Sequence, residues 1–363
     1  SDTTGSHNTA VGQSALYLNT TGSSNTAFGY EAFKSLTTSS YNTAIGYGTL
    51  RDNTTGNYNT GIGGYECLQR NTTGQRNTAI GNTALWMNTT GSWNTASGVD
   101  ALRYNTTADY NTATGFGALY TNTTGVSNTA SGKSALYYNT TGGYNTASGK
   151  GTLYTNTTGA DNTAIGVNAL YSNTTGSYNT ATGRDALLYN TTGSTNTACG
   201  RSALCLNTTA SYNTAFGHAA LYTNTTGAEN TAIGRDALFE LTTGRNNIGL
   251  GDAAGYNMTT GSGNICIGFR NSSGAYAPTN NPSTTSNKVI MGHTGIANAY
   301  VQVSWTTVSD ERDKMNFEAV PHGLDFVNKL KPTAYQFKES RDSTTPNGPK
   351  RYGFKAQDIL ALE

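Results

Sequence analysis

Residues 111–127 read NTATGFGALYTNTTGVS, and the same pattern begins again at Asn128. Its opening motif, Asn-Thr-Ala-x-Gly, returns every 17 residues, apart from one step of 18. We number each repeat from the motif Asn, which is position 0. Sixteen copies are present, the last two degraded, and they begin at Asn8, Asn25, Asn42, Asn59, Asn77, Asn94, Asn111, Asn128, Asn145, Asn162, Asn179, Asn196, Asn213, Asn230, Asn247 and Asn264. Such regularity indicates a solenoid.

The period selects the type of solenoid. Seventeen residues are too few for a helix pair but fit one coil made of two short strands and two tight turns. Gly stands at position +4 of all sixteen repeats, which predicts a positive φ or a backbone contact too close for a Cβ. The second turn is Asn-Thr-Thr-Gly, as at 122–125, and segments such as 42–45 and 118–120 are predicted strands. The extra residue of the 18-residue step lies in 63–68 and predicts a bulge.

Two columns of the repeat are apolar, Ala at position +2 and Leu at position +8, and we assign both to the interior. Identical Asn side chains stacked about 4.8 Å apart can form amide ladders along the axis. The fold class that follows is all-β, a parallel β-solenoid or β-roll of sixteen 17-residue coils. Sixteen coils would make a rod about 75 Å long.

Position +3 indicates association between rods. One Leu and one or two Ala per coil hardly offset the entropy of ordering 17 residues. Alternation with +2 places +3 outside, and in ten repeats it is apolar: Val11, Phe28, Ile45, Ile62, Ile80, Ile165, Phe216, Ile233, Leu250 and Ile267. An outward apolar row with few charges nearby is typical of an interface. We predict a homotrimer of parallel rods, although the pattern alone does not set the number three.

Two further columns are aromatic. Position +9 holds Tyr17, Trp86, Tyr120, Tyr137, Tyr154, Tyr171, Tyr222 and Tyr256. Position −1, just before the motif Asn, holds Tyr41, Tyr58, Trp93, Tyr110, Tyr144, Tyr178 and Tyr212. Rings at regular heights can stack on sugar faces or pack against a neighbouring subunit, and both interpretations stay open. Trp86, Trp93, Tyr120, Tyr137 and Tyr154 are the candidate glycan contacts.

Composition excludes several classes of partner. The net charge is +1, so nothing indicates an electrostatic grip on nucleic acid or on an anionic membrane. No apolar run approaches the roughly 18 residues that insertion into a membrane as a helix requires. The four cysteines, Cys67, Cys199, Cys205 and Cys266, lack metal-ligand spacing and are expected to be small buried or half-buried thiols. We expect neither a metal nor a cofactor.

The composition changes along the chain. All six prolines lie at or beyond Pro278, and residues 309–363 hold 18 of the 43 charged residues. We therefore divide the chain into a solenoid shaft at 1–275, a connector with a short β region at 276–308, and a third part at 309–363.

The repeats resemble the heads of trimeric autotransporter adhesins. The resemblance rests on the tandem Asn-Thr-Ala-Ile-Gly and Ala-Leu units and covers Ser1 to about Gly274. It implies a left-handed parallel β-roll in a homotrimer. Similar arrays are found in phage tail fibres.

The third part resembles the endosialidase-type C-terminal intramolecular chaperone of phage tailspikes and tail fibres. The resemblance is carried, in order, by Ser309-Asp310-Glu311-Arg312-Asp313-Lys314, 323–332, Tyr335-Gln336-Phe337 and 351–358. It implies that 309–363 is the N-terminal part of a small, mainly helical α+β chaperone. Such a chaperone assembles the trimer ahead of it and then releases itself by autoproteolysis.

The same resemblance implies the catalytic residues. Its Ser-Asp-x-Arg-x-Lys element falls on Ser309, Asp310, Arg312 and Lys314, with the cut between Val308 and Ser309. A Ser hydroxyl needs a base, and a Lys amine can serve once its pKa is lowered. Arg312 would either depress the pKa of Lys314 or bind the developing oxyanion. The other interpretation is that Ser309 and Asp310 cap a helix and Lys314 is a solvated charge. No other enzymatic activity is expected.

Two functions are compatible with these patterns. The first is a structural rod of a viral, bacteriophage tail fibre or spike in the virion. Such a rod attaches to a host-surface glycan or protein receptor and contacts other tail proteins. The alternative is a trimeric adhesin head on a bacterial cell surface.

Overall fold

The computed structural model describes residues 4–268, 283–292, 329, 332–338 and 346–353. The chain divides into two compact units, residues 1–298 and residues 299–363.

The first unit is a parallel β-solenoid with one short strand in each coil. Its strands are β1 (Thr9–Val11), β2 (Thr26–Phe28), β3 (Thr43–Tyr47), β4 (Thr60–Tyr65), β5 (Thr78–Ile80), β6 (Thr95–Ser97), β7 (Thr112–Thr114), β8 (Thr129–Ser131), β9 (Thr146–Ser148), β10 (Thr163–Ile165), β11 (Thr180–Thr182), β12 (Thr197–Cys199), β13 (Thr214–Phe216), β14 (Thr231–Ile233), β15 (Ile248–Leu250), β16 (Ile265–Ile267) and β17 (Val289–Met291). All seventeen form one sheet, in which each strand pairs in parallel with the next. The all-β parallel solenoid is therefore confirmed.

The seventeenth strand was not among the sixteen expected coils. Val289 pairs with Ile265, so Lys288 stands at position 0 and Gly292 at position +4. The step from Asn264 to Lys288 is 24 residues, seven longer than the period, which hides the repeat from a search at fixed spacing. The one surviving sequence signal is the Gly at +4.

The expectation of a second strand in each coil was wrong. The Ala-Leu-Tyr segment at 118–120 is a turn, and Leu119 has a φ of 53°. The corresponding Leu has a φ close to this in nearly every coil. Coils still bond to one another here, since the Leu119 N–H donates to the Ala135 carbonyl at 2.9 Å. A backbone with left-handed residues at +6 and +8 curls tightly and points the Leu side chain inward.

The Gly at position +4 meets both conditions that the sequence indicated. In Gly98 φ is +139°, and a Cβ would lie 2.6 Å from the carbonyl oxygen of Gly115 in the next coil. The expected bulge is also present, because the register shifts between β3 and β4 so that Tyr47 pairs with Tyr65.

The interior of a coil contains both apolar side chains and amides. In the coil that starts at Asn128, the buried apolar residues are Ala130, Ala135 and Leu136. Asn128 and Asn139, at positions 0 and +11, are equally buried. The assignment of the +2 and +8 columns to the interior is confirmed.

The Asn at position 0 forms a continuous amide ladder. Asn145 Oδ1 accepts both the backbone N–H and the Nδ2–H of Asn162, each at 3.1 Å. Asn145 Nδ2 donates to Asn128 Oδ1 at 3.1 Å and to the Gly159 carbonyl at 2.9 Å. The side chain thus satisfies a backbone N–H of the next coil, which a buried donor requires.

A second ladder runs along position +11. Asn156 Nδ2 donates to Asn139 Oδ1 at 2.8 Å and to the Gly159 carbonyl at 2.9 Å. This column also accepts Leu, at Leu36 and Leu241, and Met, at Met258. Because Leu241 has no donor, the ladder stops there and Asn224 Oδ1 is buried without a partner in the described chain.

The described part of the second unit contains one antiparallel strand pair, β18 (Thr333–Lys338) and β19 (Pro346–Gly353). Thr333 pairs with Gly353 and Lys338 with Pro346. The helices expected for this segment lie largely outside the described residues. Within the described ranges no helix has the length and hydrophobicity needed to cross a membrane.

Candidate functional site

The residues expected to carry autoproteolysis are not part of the described structure. Val308, Ser309, Asp310, Arg312 and Lys314 all lie outside the described residues. The candidate sites among the described residues are on the rod.

The aromatic residues at position +9 stack on one another. Ring centroids of Tyr120 and Tyr137 are 4.7 Å apart, those of Tyr137 and Tyr154 5.4 Å, and those of Tyr154 and Tyr171 4.9 Å, with planes within about 22° of parallel. Burial within the stack raises the pKa of the Tyr137 hydroxyl. Both faces of Tyr137 and Tyr154 are thus covered, and Tyr138 makes T-shaped contacts with both of these half-buried rings.

Trp86 also has covered faces. The Arg70 guanidinium lies 4.7 Å from its ring centroid and the Arg103 guanidinium 5.3 Å away. Its Nε1–H donates to Gln69 Oε1 at 2.9 Å. Cation–π contacts and this hydrogen bond hold the indole in place.

The aromatic residues at position −1 are more exposed. Trp93 is 48% exposed, with the Arg76 guanidinium 4.3 Å from its ring centroid and the Tyr110 ring 6.2 Å away. Further along, Tyr144 and Tyr178 are 62% and 65% exposed and have no ring partner among the described residues. Two coils, about 9.6 Å, separate neighbouring rings here. Their faces, unlike those of the +9 stack, are open to a ligand.

The +3 row points outward, as the alternation predicted. Its apolar members are 38–56% exposed. All but Ile165 fall into two groups, one from Val11 to Ile80 and one from Phe216 to Met291, and the other intervening coils carry mostly Ser or Thr. Phe28, Ile45 and Ile62 line an apolar groove of about 400 Å³.

Position +5 is a column that the sequence reasoning missed. From the coil of Asn128 onward it holds mostly cations, namely Lys133, Lys150, Arg184, Arg201 and Arg235. Acidic and basic residues are equal in number over 4–268, eleven each, so this column is a local excess. These cations recur at multiples of 17 residues and could have been found in the sequence, but they are confined to half of the coils.

The cysteines are as expected, since Cys67, Cys205 and Cys266 are buried and Cys199 is half-buried. Burial raises the pKa of the Cys67 thiol to about 12. In the described part of the chain no three His, Cys, Asp or Glu side chains are grouped so that they could hold a metal ion.

Comparison with known proteins bears on the second unit. Residues 309–362 match the family described as chaperone of endosialidase. No curated protein and no solved structure was found to match the chain. The family match and the parallel β-solenoid that precedes it fit a tail fibre or tailspike that carries an intramolecular chaperone.

Proposed function

We propose that the chain is part of a bacteriophage tail fibre or spike, in which a trimeric rod reaches the host surface and a C-terminal chaperone assists its assembly. The observation that carries this proposal is the order of the two parts, an endosialidase-type chaperone match at 309–362 behind seventeen stacked strands. In the virion the rod would attach to a host glycan or protein receptor and contact other tail proteins.

Antibodies against the purified rod test the location. They should label fibres on phage particles in electron micrographs and block adsorption of those particles to their host. Labelling of a bacterial cell surface in uninfected culture would instead establish the adhesin alternative.

Trimer assembly is supported by the outward +3 row. Each coil buries little apolar surface by itself, so covering Ile45 and Ile62 would add stability at about 25 cal/mol per Å² buried. Sedimentation of the full chain should give three times the monomer mass. Ile45→Asp with Ile62→Asp should dissociate the rod, since carboxylates in the interface cost several kcal/mol. Tyr178→Asp, at position −1, is the matched control. A folded, monomeric wild type would overturn the trimer.

Receptor contact is proposed for the aromatic columns. The candidate contacts are Trp86, Trp93, Tyr120, Tyr137 and Tyr154. Trp93 is the strongest candidate for contact with a receptor, because its ring is exposed. Trp93→Ala should weaken binding on a glycan array, while Tyr137→Ala, within the stack, should mainly lower stability. Unchanged binding by a folded Trp93→Ala protein would remove this column from the attachment surface.

Self-cleavage is proposed between Val308 and Ser309. Ser309 Oγ attacks the Val308 carbonyl carbon while Lys314 takes the hydroxyl proton, and the Ser309 nitrogen leaves as the amine. Water then hydrolyses the resulting ester. Because both partners are in one chain, geometry replaces substrate affinity, and cleavage would follow completed assembly.

Mass spectrometry of a protein carrying the whole C-terminal module tests the dyad. Wild type should release a fragment that begins at Ser309, and Ser309→Ala and Lys314→Ala should stay intact yet assemble. Cleavage of Lys314→Ala at the normal rate would show that Lys314 is not the base. A folded wild type that never cleaves would show a chaperone that stays attached.

A further inference from the structure

A groove of about 460 Å³ lies on the side of the rod formed by positions +5 to +10, next to the strand side that carries the +3 row. The residues that line the groove include Lys133, Lys150, Tyr154, Asn168, Tyr171 and Tyr189. Its volume is within the range of about 300–1,000 Å³ that small-molecule sites have.

The groove exists because two columns change residue type in the same coils. Gly151 stands at position +6, where the flanking coils have Ser134 and Asn168. The absent side chain leaves room, since a Cβ on Gly151 would lie 2.9 Å from Asn168 Oδ1 and 3.4 Å from the Tyr171 ring. At position +9 the stack of tyrosines ends at Tyr171, because Leu188 follows it.

The charge of the groove is positive, because the one carboxylate of the described chain that is bonded to a groove residue, Asp185 at 3.2 Å from Asn168 Nδ2, is paired with Arg184. Arg184 and Arg235 in the same column have acidic partners, Asp185 at 3.1 Å and Asp252 at 2.8 Å. Lys133 and Lys150 are exposed and have no acidic partner within the described chain. Lys133 Nζ lies 5.9 Å from the Phe116 ring centroid. Two lysines on adjacent coils, whose backbones are about 4.8 Å apart, therefore border the groove.

The groove is also lined by aromatic side chains. Tyr171 stacks on Tyr154 at 4.9 Å on one side, and its position at the end of the stack leaves the other side to the groove and Leu188. Tyr189 is 50% exposed and has no ring partner among the described residues. Aromatic rings pack against the C–H faces of sugars, amides and hydroxyls bond their OH groups, and ammonium groups favour a carboxylate.

We propose that this groove binds a carboxylate-bearing saccharide. Lys133 and Lys150 take the carboxylate, and Tyr171 and Tyr189 contact the apolar face of the sugar. Asn168 Oδ1 accepts from a ring hydroxyl, while its Nδ2 stays bonded to Asp185. The proposal rests on the proposed function, because it names the receptor class that the rod would recognise. It also adds the cations of position +5 to the +9 column that the sequence indicated.

Calorimetry with the full chain and two matched probes tests the proposal. The probes are oligosaccharides of glucuronic acid and the corresponding neutral oligosaccharides of glucose. We expect the acidic probe to bind at least tenfold more tightly than the neutral one. Lys133→Gln with Lys150→Gln should weaken its binding at least tenfold, and Arg201→Gln should leave it within twofold. Arg201 is the matched control, because it is exposed in the same column, lacks an acidic partner among described residues and lies outside the groove.

A second variant tests the shape of the groove and not its charge. Gly151→Ser copies Ser134, which has a φ of 56° in the same column, so the backbone accepts it at the φ of 64° found in Gly151. It should weaken binding at least fivefold, while the fold is retained with a small loss of thermal stability, because Asn168 must shift away from the added Cβ.

The groove proposal is overturned if acidic and neutral probes bind equally, if the paired Lys variant binds like wild type, or if the acidic probe does not bind. Equal displacement by inorganic phosphate would overturn a sugar-specific site as well. In each case labelling of phage fibres by the antibodies would still support the proposed attachment function, so the two failures are distinguishable.

Discussion

Replacing Asn145 by Ala measures what the ladder at position 0 contributes to stability. Asn145 Oδ1 accepts the backbone N–H of Asn162 at 3.1 Å. The side chain is fully buried, so its removal leaves that N–H without an acceptor. The other partners keep one bond each: the Gly159 carbonyl still accepts from Asn156 Nδ2 at 2.9 Å, and Asn128 Oδ1 still accepts the backbone N–H of residue 145 at 3.0 Å.

The magnitude follows from these contacts. A buried N–H left unsatisfied costs about 1–3 kcal/mol, and the lost amide–amide bonds add about 1 kcal/mol. We expect Asn145→Ala to lower the free energy of unfolding by about 2–4 kcal/mol per chain. Contacts in a solenoid are between neighbouring coils, so the loss should concentrate in the coils on either side.

Asn156→Ala is the matched control. Asn156 is equally buried, but its Oδ1 accepts only a side-chain donor of the next coil, the Nδ2 of Asn173 at 2.8 Å. That Nδ2 keeps the Gly176 carbonyl at 2.9 Å, so no backbone N–H of another coil is orphaned. Asn139 Oδ1 loses its donor, but this column already contains such an unsatisfied oxygen, Asn224 Oδ1 beside Leu241. The loss of stability in Asn156→Ala should therefore be smaller than that in Asn145→Ala.

Urea unfolding followed by circular dichroism gives the free energies, and hydrogen exchange locates the loss. Faster exchange should appear at the amide of Asn162 in Asn145→Ala and not in Asn156→Ala. Equal free energies for the two variants, or a loss below about 0.5 kcal/mol for Asn145→Ala, would refute this role of the ladder.

Three other predictions concern single side chains. Asn145→Asp buries a carboxylate, and burial raises the pKa of that carboxylate in the folded state. The stability of the variant relative to wild type should therefore increase as pH falls from 7 to 4, and urea midpoints that do not move with pH would contradict this. Gly98→Ala adds a Cβ 2.6 Å from a carbonyl oxygen, at a position where φ is +139°. It should lower the free energy of unfolding, measured by thermal unfolding, by at least about 2 kcal/mol, whereas Gly64→Ala, at a position without a positive φ, should lower it less. In native protein Cys199 should react with a thiol reagent before Cys67, because burial raises the pKa of the Cys67 thiol to about 12; equal rates would contradict the packing.

The repeat, the interior columns and the outward row were predictable because each position admits few side chains. Only Gly suits the close approach at Gly98, and only Asn provides both the acceptor and the donor that Asn145 uses. Position 0 is accordingly Asn in all sixteen repeats, whereas +11 also accepts Leu.

Other features could not be predicted because they depend on backbone conformation or on combinations of columns. Leu119 has a φ of 53°, a value rare for Leu, so the pattern Ala-Leu-Tyr suggested a strand where the chain turns. The groove needs a Gly at 151, cations at +5 and the end of a tyrosine stack together. Each of these alone is unremarkable in the sequence.

The position-0 amide also bears on how the rod could change length. At every step the Oδ1 of the motif Asn accepts the backbone N–H of the next position-0 residue, so the junction between two coils is the same wherever it lies along the rod. Gaining or losing 17 residues by recombination between copies would therefore leave all remaining junctions intact. The length of the rod would then change in steps of about 4.8 Å, one coil at a time. Surface columns, in contrast, would be reshuffled by the same event, so reach and recognition would vary together from one descendant to another.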